Sequence, residues 1–427
     1  MDETSSHIAT KFKNYLLNAN LHSLKYIGND SYHIISRLFW IGIFGGSIYG
    51  LTQTLSSVYA DYNTVSFLTE TTYLDWNTTF PAITVCQISG NDFNLSQEAI
   101  GNEDPTSLEF FVMDILFFTG TCYSCQTQCE ACSRVNISNV VSKLRKPCHK
   151  VLDVCSWNGN NFDCCEKFLP LDTEYGQCFS LNSMHTSQSG IINSEFLMNR
   201  VTGPGELTIK SKQDIRVYYH APEDVPFINS DSNFRKDVLK GEYYEILLNV
   251  IEIENSKQVH SLSVENRECR FPEELPVNFK VHKLYSYSTC MVQCHAENHI
   301  RLCNCTHHLM PVYNTERYCD IEGLKCLTDH FEIVNRIHAK GYNKPGLICE
   351  CLPSCTEPEY TIVSDLKKTY NQTTGITIKL QALPTLRFKR VVVKDIMDLV
   401  VSVGGVVGLF FGASLISVVE MIYFMYL

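Results

Sequence analysis

The sequence predicts a membrane protein with two transmembrane helices bracketing a large disulfide-rich α/β ectodomain. Two long uncharged apolar runs and the confinement of all 20 cysteines between them carry that prediction. The first run, Leu38 to Ala60, has 23 residues, and the second, Leu399 to Val419, has 21. Either is long enough to cross a bilayer as a helix, which takes about 20 residues. Every cysteine lies between Cys86 and Cys355. Such cysteine density belongs to an oxidising compartment, so the middle of the chain is expected outside the cell and its flanks inside.

Composition excludes other classes. The net charge of −11 leaves no basic surface for a nucleic-acid backbone. A hydrophobic fraction of 44%, with 22 Tyr and 23 Phe, is too high for a disordered chain.

In order, residues 1–36 are expected to be a cytoplasmic N-terminus, 37–60 the first span, 61–390 the exterior and 391–427 the second span. The 36 residues before the first span are too many for the leading region of a signal peptide. Lys11, Lys13, Lys25 and Arg37 precede that span, while Asp61, Glu70 and Asp75 follow it, which places both termini in the cytoplasm. Arg387, Lys389, Arg390 and Lys394 oppose the rule at the second span, and the cysteines outweigh them. Acceptor triplets at Asn77, Asn94, Asn136, Asn304 and Asn371 fall in the exterior and are expected to carry glycans, whereas Asn29 falls inside.

Within the exterior, Tyr243 to Glu254 and Ile376 to Leu383 are rich in β-branched and apolar residues and read as strands. Ser288 to Leu302 reads as a helix. Cys290 and Cys294 lie on one helix face, about 6 Å apart along the axis. Cys349 and Cys351 would have nearly the same rise on one strand face, roughly 6.6 Å. These spacings permit a helix stapled to a strand as Cys290–Cys351 and Cys294–Cys349, enclosed by Cys269–Cys355. Cys122, Cys125, Cys129 and Cys132, and separately Cys303, Cys305, His307 and His308, also offer zinc ligands. In an exterior domain disulfides are the expected fate, so no metal site is assigned. No spacing of His, Ser and Asp identifies a catalytic site.

The second run is more than an anchor. Gly404, Gly405, Gly408, Gly412, Ala413, Ser414 and Ser417 allow close helix approach. Gly412-Ala413-Ser414 offers a point where the helix breaks and turns carbonyls toward an ion, which is tolerated only where backbone lines protein or water. Glu420 would cost about 3 kcal/mol facing lipid at a helix centre, so it faces a wet interior or lies at the inner headgroups.

Phe80-Pro81-Ala82-Ile83-Thr84-Val85-Cys86 after the first run, the cysteine series from Cys269 to Cys355 and Gly412-Ala413-Ser414 together resemble the degenerin, epithelial sodium channel and acid-sensing channel family. The segment from Cys155-Ser156-Trp157 to Cys164-Cys165, with Tyr175-Gly176-Gln177-Cys178, is most similar to its insect pickpocket branch. The resemblance implies a trimer, homomeric or heteromeric, in a lipid bilayer, conducting sodium through an amiloride-blocked pore without a cofactor. It also implies a palm, finger (about 91–200), knuckle, β-ball and thumb (about 269–355). The disulfides it implies are Cys86–Cys178, Cys155 with Cys164 or Cys165, Cys269–Cys355, Cys290–Cys351, Cys294–Cys349, Cys303–Cys326 and Cys305–Cys319. It gives no partners for Cys122, Cys125, Cys129, Cys132, Cys148 and the remaining Cys164 or Cys165.

By the same resemblance Gly412, Ala413 and Ser414 form the selectivity filter and Glu420 the acid inside it. Val401 and Ser402 stand at outer gating positions, and His22-Ser23 matches a cytoplasmic His-Gly gating motif. Ser in place of Gly would be strained if that position needs positive φ. Only seven residues follow Glu420, so a cytoplasmic tail carrying turnover signals is expected to be missing. A non-conducting modulatory subunit and a two-pass receptor are the alternatives. The activating stimulus is unassigned, with Asp329 and Glu332 as surface candidates for proton sensing.

Overall fold

The computed structural model describes residues 23–62, 64–70, 77–89, 105–126, 136–187, 194–311, 317–338, 345–356, 358–369, 373–384 and 387–426. In chain order the helices that matter below are α1 (Leu24–Gly28), α2 (Ile34–Ala60), α3 (Pro105–Leu116), α4 (Ile137–Leu144), α5 (Tyr287–Cys303), α6 (Ile321–Asp329), α7 (Ile396–Phe411) and α8 (Leu415–Tyr426). The strands are β1 (Val65–Glu70), β2 (Thr78–Thr79), β3 (Ala82–Gln87), β4 (Leu152–Trp157), β5 (Asn160–Phe162), β6 (Leu169–Thr173), β7 (Gly176–Leu181), β8 (Leu197–Met198), β9 (Glu206–Ser211), β10 (Ile215–His220), β11 (Arg235–Val238), β12 (Glu242–Asn255), β13 (Glu359–Thr369), β14 (Gly375–Leu380) and β15 (Arg387–Val392). The chain divides into two units, residues 1–68, 255–267 and 390–427, and residues 69–254 and 268–389.

In the second unit, β13, β12, β14, β9, β4 and β5 lie side by side in one sheet. Strand β12 alternates strictly: Tyr244, Ile246, Leu248 and Val250 are buried while Tyr243, Glu245, Leu247 and Asn249 are partly exposed. That period of two puts one face of the strand on the core. β12 pairs antiparallel with β13 and parallel with β14, with Tyr244 opposite Ile376 and Leu248 opposite Leu380. The β4–β5 hairpin turns at Asn158-Gly159, both at positive φ (49° and 81°). This Asn-Gly pair suits the tight turn that matches strand twist.

A second sheet runs β11, β10, β3, β7, β6, entirely antiparallel between neighbours. Ile83, Val85, Val217, Tyr219 and Leu181 from this sheet share one core with Ile246, Leu248, Ile376 and Ile209 of the first. A separate core joins α3 to α6 through Phe111, Ile115, Leu116, Leu324 and Leu327.

Strand β12 exceeds the predicted Tyr243 to Glu254 by one residue at each end. β14 stops at Leu380 instead of Leu383: its register with β9 ends at Lys379 opposite Glu206 and with β12 at Leu380 opposite Leu248, Gln381 N–H makes a last bond to the Leu248 carbonyl, and Pro384 follows. Prolines restrict the residue before them and donate no ladder bond. Helix α5 extends Ser288–Leu302 by one residue at each end, because Ser286 and Thr289 form a reciprocal capping box. Cys349 and Cys351 do not lie on a strand. Residues 345–356 make only single bridges, Leu347 to Ile337 and Ser354 to Arg270, between Pro345 and Pro353.

The described cysteines are all in disulfides. Cys86–Cys178 ties β3 to β7, and Cys269–Cys355, Cys290–Cys351 and Cys294–Cys349 form three rungs beside α5. Cys303–Cys326 and Cys305–Cys319 follow. Adjacent Cys164 and Cys165 bond Cys155 and Cys148 respectively, and Cys122 bonds Cys125. Cys129 and Cys132 lie outside the described residues. With their sulfurs bonded, Cys122, Cys125, Cys303 and Cys305 are not zinc ligands.

In the first unit, α2 is, among the described residues, the helix long and apolar enough to cross a membrane. Its 27 residues span about 40 Å against a hydrocarbon layer of about 30 Å. None of its residues is buried, and Leu38 and Phe39 are about 60% exposed, a distribution that suits lipid and not water.

Candidate functional site: the broken C-terminal helix

Helix α7 begins with Asp395, whose carboxylate accepts from Asp398 N–H in a capping box. It runs to Phe411 and stops because Gly412 turns to φ 62°, ψ 18° while its N–H donates to the Gly408 carbonyl at 2.8 Å. This left-handed cap is the conformation for which glycine lacks the Cβ penalty. Gly412, Ala413 and Ser414 stand outside both helices.

Helix α8 restarts by a reciprocal arrangement. Ser414 N–H donates to Ser417 Oγ at 3.2 Å, and Ser417 N–H donates to the Ser414 carbonyl at 3.0 Å. The two serines thus take up amide groups that a helix start leaves without partners. Gly412 and Ser414 are exposed and Ala413 is half-buried. Glu420 lies half-buried on α8. Val401 is 69% exposed and Ser402 half-buried on α7.

Within the same unit α7 packs on α2. A Cβ added at Gly50 would stand 2.6 Å from Phe410, and Phe44 meets Phe411 edge-on at 5.3 Å between ring centroids. The glycine thus admits the aromatic ring that precedes the break. Before α2, the Tyr26 ring stacks on Trp40 at 4.6 Å, and Arg37 donates from Nε to the Ile27 carbonyl at 3.1 Å. These contacts dock α1 on the start of α2. Ser23 begins α1 at φ 79°, ψ −34°, is buried, and makes no side-chain cap. A non-glycine residue there carries backbone strain of about 1–2 kcal/mol. His22 lies outside the described residues.

In the second unit, Asp329 and Glu332 are surface groups. Asp329 accepts from Gln126 at 3.4 Å and Glu332 pairs with Arg336 at 2.5 Å. The buried acids lie elsewhere. Glu223 and Asp224 follow β10, with Glu223 accepting from Thr356 at 2.8 Å and Asp224 from Ser288 at 2.6 Å. Burial, reinforced by the Asp224 charge, pushes the Glu223 carboxyl up to about 7. Sequence reasoning missed this pair. Its signal was an acid doublet inside the otherwise apolar Ala221-Pro222 … Val225-Pro226-Phe227.

A histidine group was missed too. His295 bonds the fully buried Glu174 at 2.5 Å, and His299 meets His307 at 5.4 Å between centroids. Burial holds His299 and His308 down to about 4 and His307 well below the usual imidazole range, so they remain neutral.

Among the acceptor asparagines, Asn77 and Asn136 are exposed, and so is Asn304 at the end of α5. Asn94 and Asn371 lie outside the described residues.

The chain carries a disulfide-braced, β-rich domain, an apolar N-terminal helix and a broken apolar helix near the C-terminus. The family described as amiloride-sensitive sodium channel matches residues 15–424, and the chain belongs to it. The family is one of plasma-membrane ion channels, not enzymes, and its members are generally oligomeric. The chain is 24% identical over 319 residues to sodium channel protein Nach of Drosophila ananassae, covering 68% of this chain but only 59% of that protein. Pickpocket protein 28 of Drosophila melanogaster is 24% identical, covering 96% of this chain and 77% of its own length. The bile acid-sensitive ion channel of Mus musculus is also 24% identical, covering 96% and 86%. A cryo-EM structure of a proton-activated chloride channel aligns over 91% of this chain and 96% of that chain, but at 6% identity and a TM-score of 0.29 it carries no argument.

Proposed function

We propose that the chain is a pore-forming subunit of a trimeric, sodium-selective, amiloride-blocked channel of the plasma membrane, with α7 and α8 together as its second span and both termini cytoplasmic. The observation that carries this reading is the break at Gly412–Ser414 in an apolar helix. Lipid does not tolerate such a break, whereas a wet axis uses it. Around that axis three copies of Gly412, Ala413 and Ser414 present backbone carbonyls to dehydrating sodium, and three Glu420 carboxylates raise the local cation concentration. Sodium then passes down its gradient, with no chemistry at the protein. Val401 and Ser402 line the outer approach, and His22-Ser23 acts at the cytoplasmic gate. Expression in oocytes should give an inward sodium current blocked by amiloride and altered in selectivity by Ser414→Cys. Surface-expressed protein that stays silent alone and with related subunits would overturn the proposal.

Ser23 favours a second reading, in which the chain modulates a heteromeric channel without opening by itself. Its positive φ puts on this N-terminal conformation a strain that glycine would not carry, and where opening needs this conformation the strain opposes it. Co-expression with a conducting relative separates the readings, because the modulator changes current properties while giving none alone.

A further inference from the structure

A cavity of about 660 Å³ opens in the second unit between α4, the β6–β7 turn and the loop that follows α5. That volume falls in the range of small-molecule sites. Its wall carries three cations, Lys143, Arg145 and Lys146, against a single carboxylate, Asp172. The chain as a whole carries a net charge of −11, and this wall is opposite to it in sign. The inversion is built in by Arg145. Its guanidinium donates to the carbonyls of Leu116 and Gln177, both at 3.0 Å, and of Tyr175. These acceptors are neutral, so they fix the side chain without cancelling its charge. Its buried Nε has no hydrogen-bond partner. Burial lowers the group only to about 10, which leaves it charged at neutral pH. The rest of the wall is apolar at Val141, Phe179, Leu309 and Pro311.

We propose that this cavity binds a small amphipathic organic anion, a carboxylate with an apolar body. The carboxylate sits toward Lys143, Arg145 and Lys146, where cations and N–H donors converge. The apolar body lies along Phe179 and Leu309–Pro311, where removing it from water favours binding. The inference rests on the cavity alone and does not require that the chain conduct.

The test uses the full chain purified in detergent, with 4-phenylbutyrate as probe and the uncharged 4-phenylbutanol as its partner. Thermal unfolding should shift upward saturably with the acid and not with the alcohol. Lys143→Gln with Lys146→Gln should weaken the acid's apparent affinity tenfold or more, whereas Lys212→Gln, paired with Asp153 elsewhere, should leave it unchanged. Ser142→Trp, placed on the exposed side of α4, should fill the space and abolish the shift without lowering the ligand-free melting temperature. The proposal is overturned by equal responses to acid and alcohol, or by no saturable response to the acid. It is equally overturned by unchanged affinity in the double lysine variant, or by inorganic phosphate binding as tightly as the acid.

Discussion

Replacing Glu223 by Gln imitates the protonated carboxyl and removes its titration. In the fold this carboxyl is held by Thr356 and Ser354, lies next to Asp224, and is pushed up to about 7 from 4.5 by burial. At about 1.4 kcal/mol per pKa unit, the fold favours the protonated form by about 3 kcal/mol. Because the folded pKa lies above the unfolded one, this stabilisation is complete below pH 4.5 and is lost as pH rises through 7. His299 and His308 act in the opposite sense. Their folded values of about 4 lie below 6.5, so stability falls as pH drops from 6.5 toward 4. Two histidines outweigh one carboxyl, so the parent should gain stability from pH 4.5 to 6.5, with Glu223 flattening the rise. Glu223→Gln should steepen it, the difference between variant and parent growing by about 3 kcal/mol between pH 4.5 and 7.5. Urea unfolding of the full chain in detergent, followed by tryptophan fluorescence, measures both curves. Parallel curves would refute the assigned protonation of Glu223.

Other outcomes follow from the same geometry. Ser23→Gly should relieve about 1 kcal/mol of backbone strain and raise channel open probability, read by single-channel recording; an unchanged or lower value counts against a strained gate. Gly50→Val should lower surface expression by colliding with Phe410, and Phe410→Ala should restore it; a double variant no better than the single one excludes that contact. Serine replacement of Cys86 and Cys178, 92 residues apart, should destabilise by about 4–5 kcal/mol. Replacement of Cys294 and Cys349 should lower stability by only about 2 kcal/mol, since Cys290–Cys351 already closes nearly the same loop. Denaturant unfolding without reductant checks the order of these two effects.

The parts of the fold that are legible in the sequence have local causes. Strand β12 announces itself by alternating burial, and α5 by a cap at Ser286 and helix-spaced cysteines. The chain break in the last helix is written in Gly412 and in the spacing of Ser414 and Ser417, which serve both sides of it. What stays hidden depends on residues far apart. The parallel pairing of β12 with β14 joins positions about 130 residues apart and leaves no local mark. Cys349 and Cys351 share the spacing of a strand, yet among the described residues no neighbouring strand supplies a ladder there. The burial of Glu223 and the neutrality of His299 and His307 come from elements that meet only after folding. Lys143, Arg145 and Lys146 read as a solvated basic run until the turn after β6 and the loop after α5 close a wall around them.

The paired rungs from Cys290 and Cys294 have a mechanical consequence. A single covalent tether would leave α5 free to swivel about it. Two attachments four residues apart on one face fix both its roll and its axial position against residues 349–351. Any displacement that reaches one of these pieces therefore carries the other with it as a single lever.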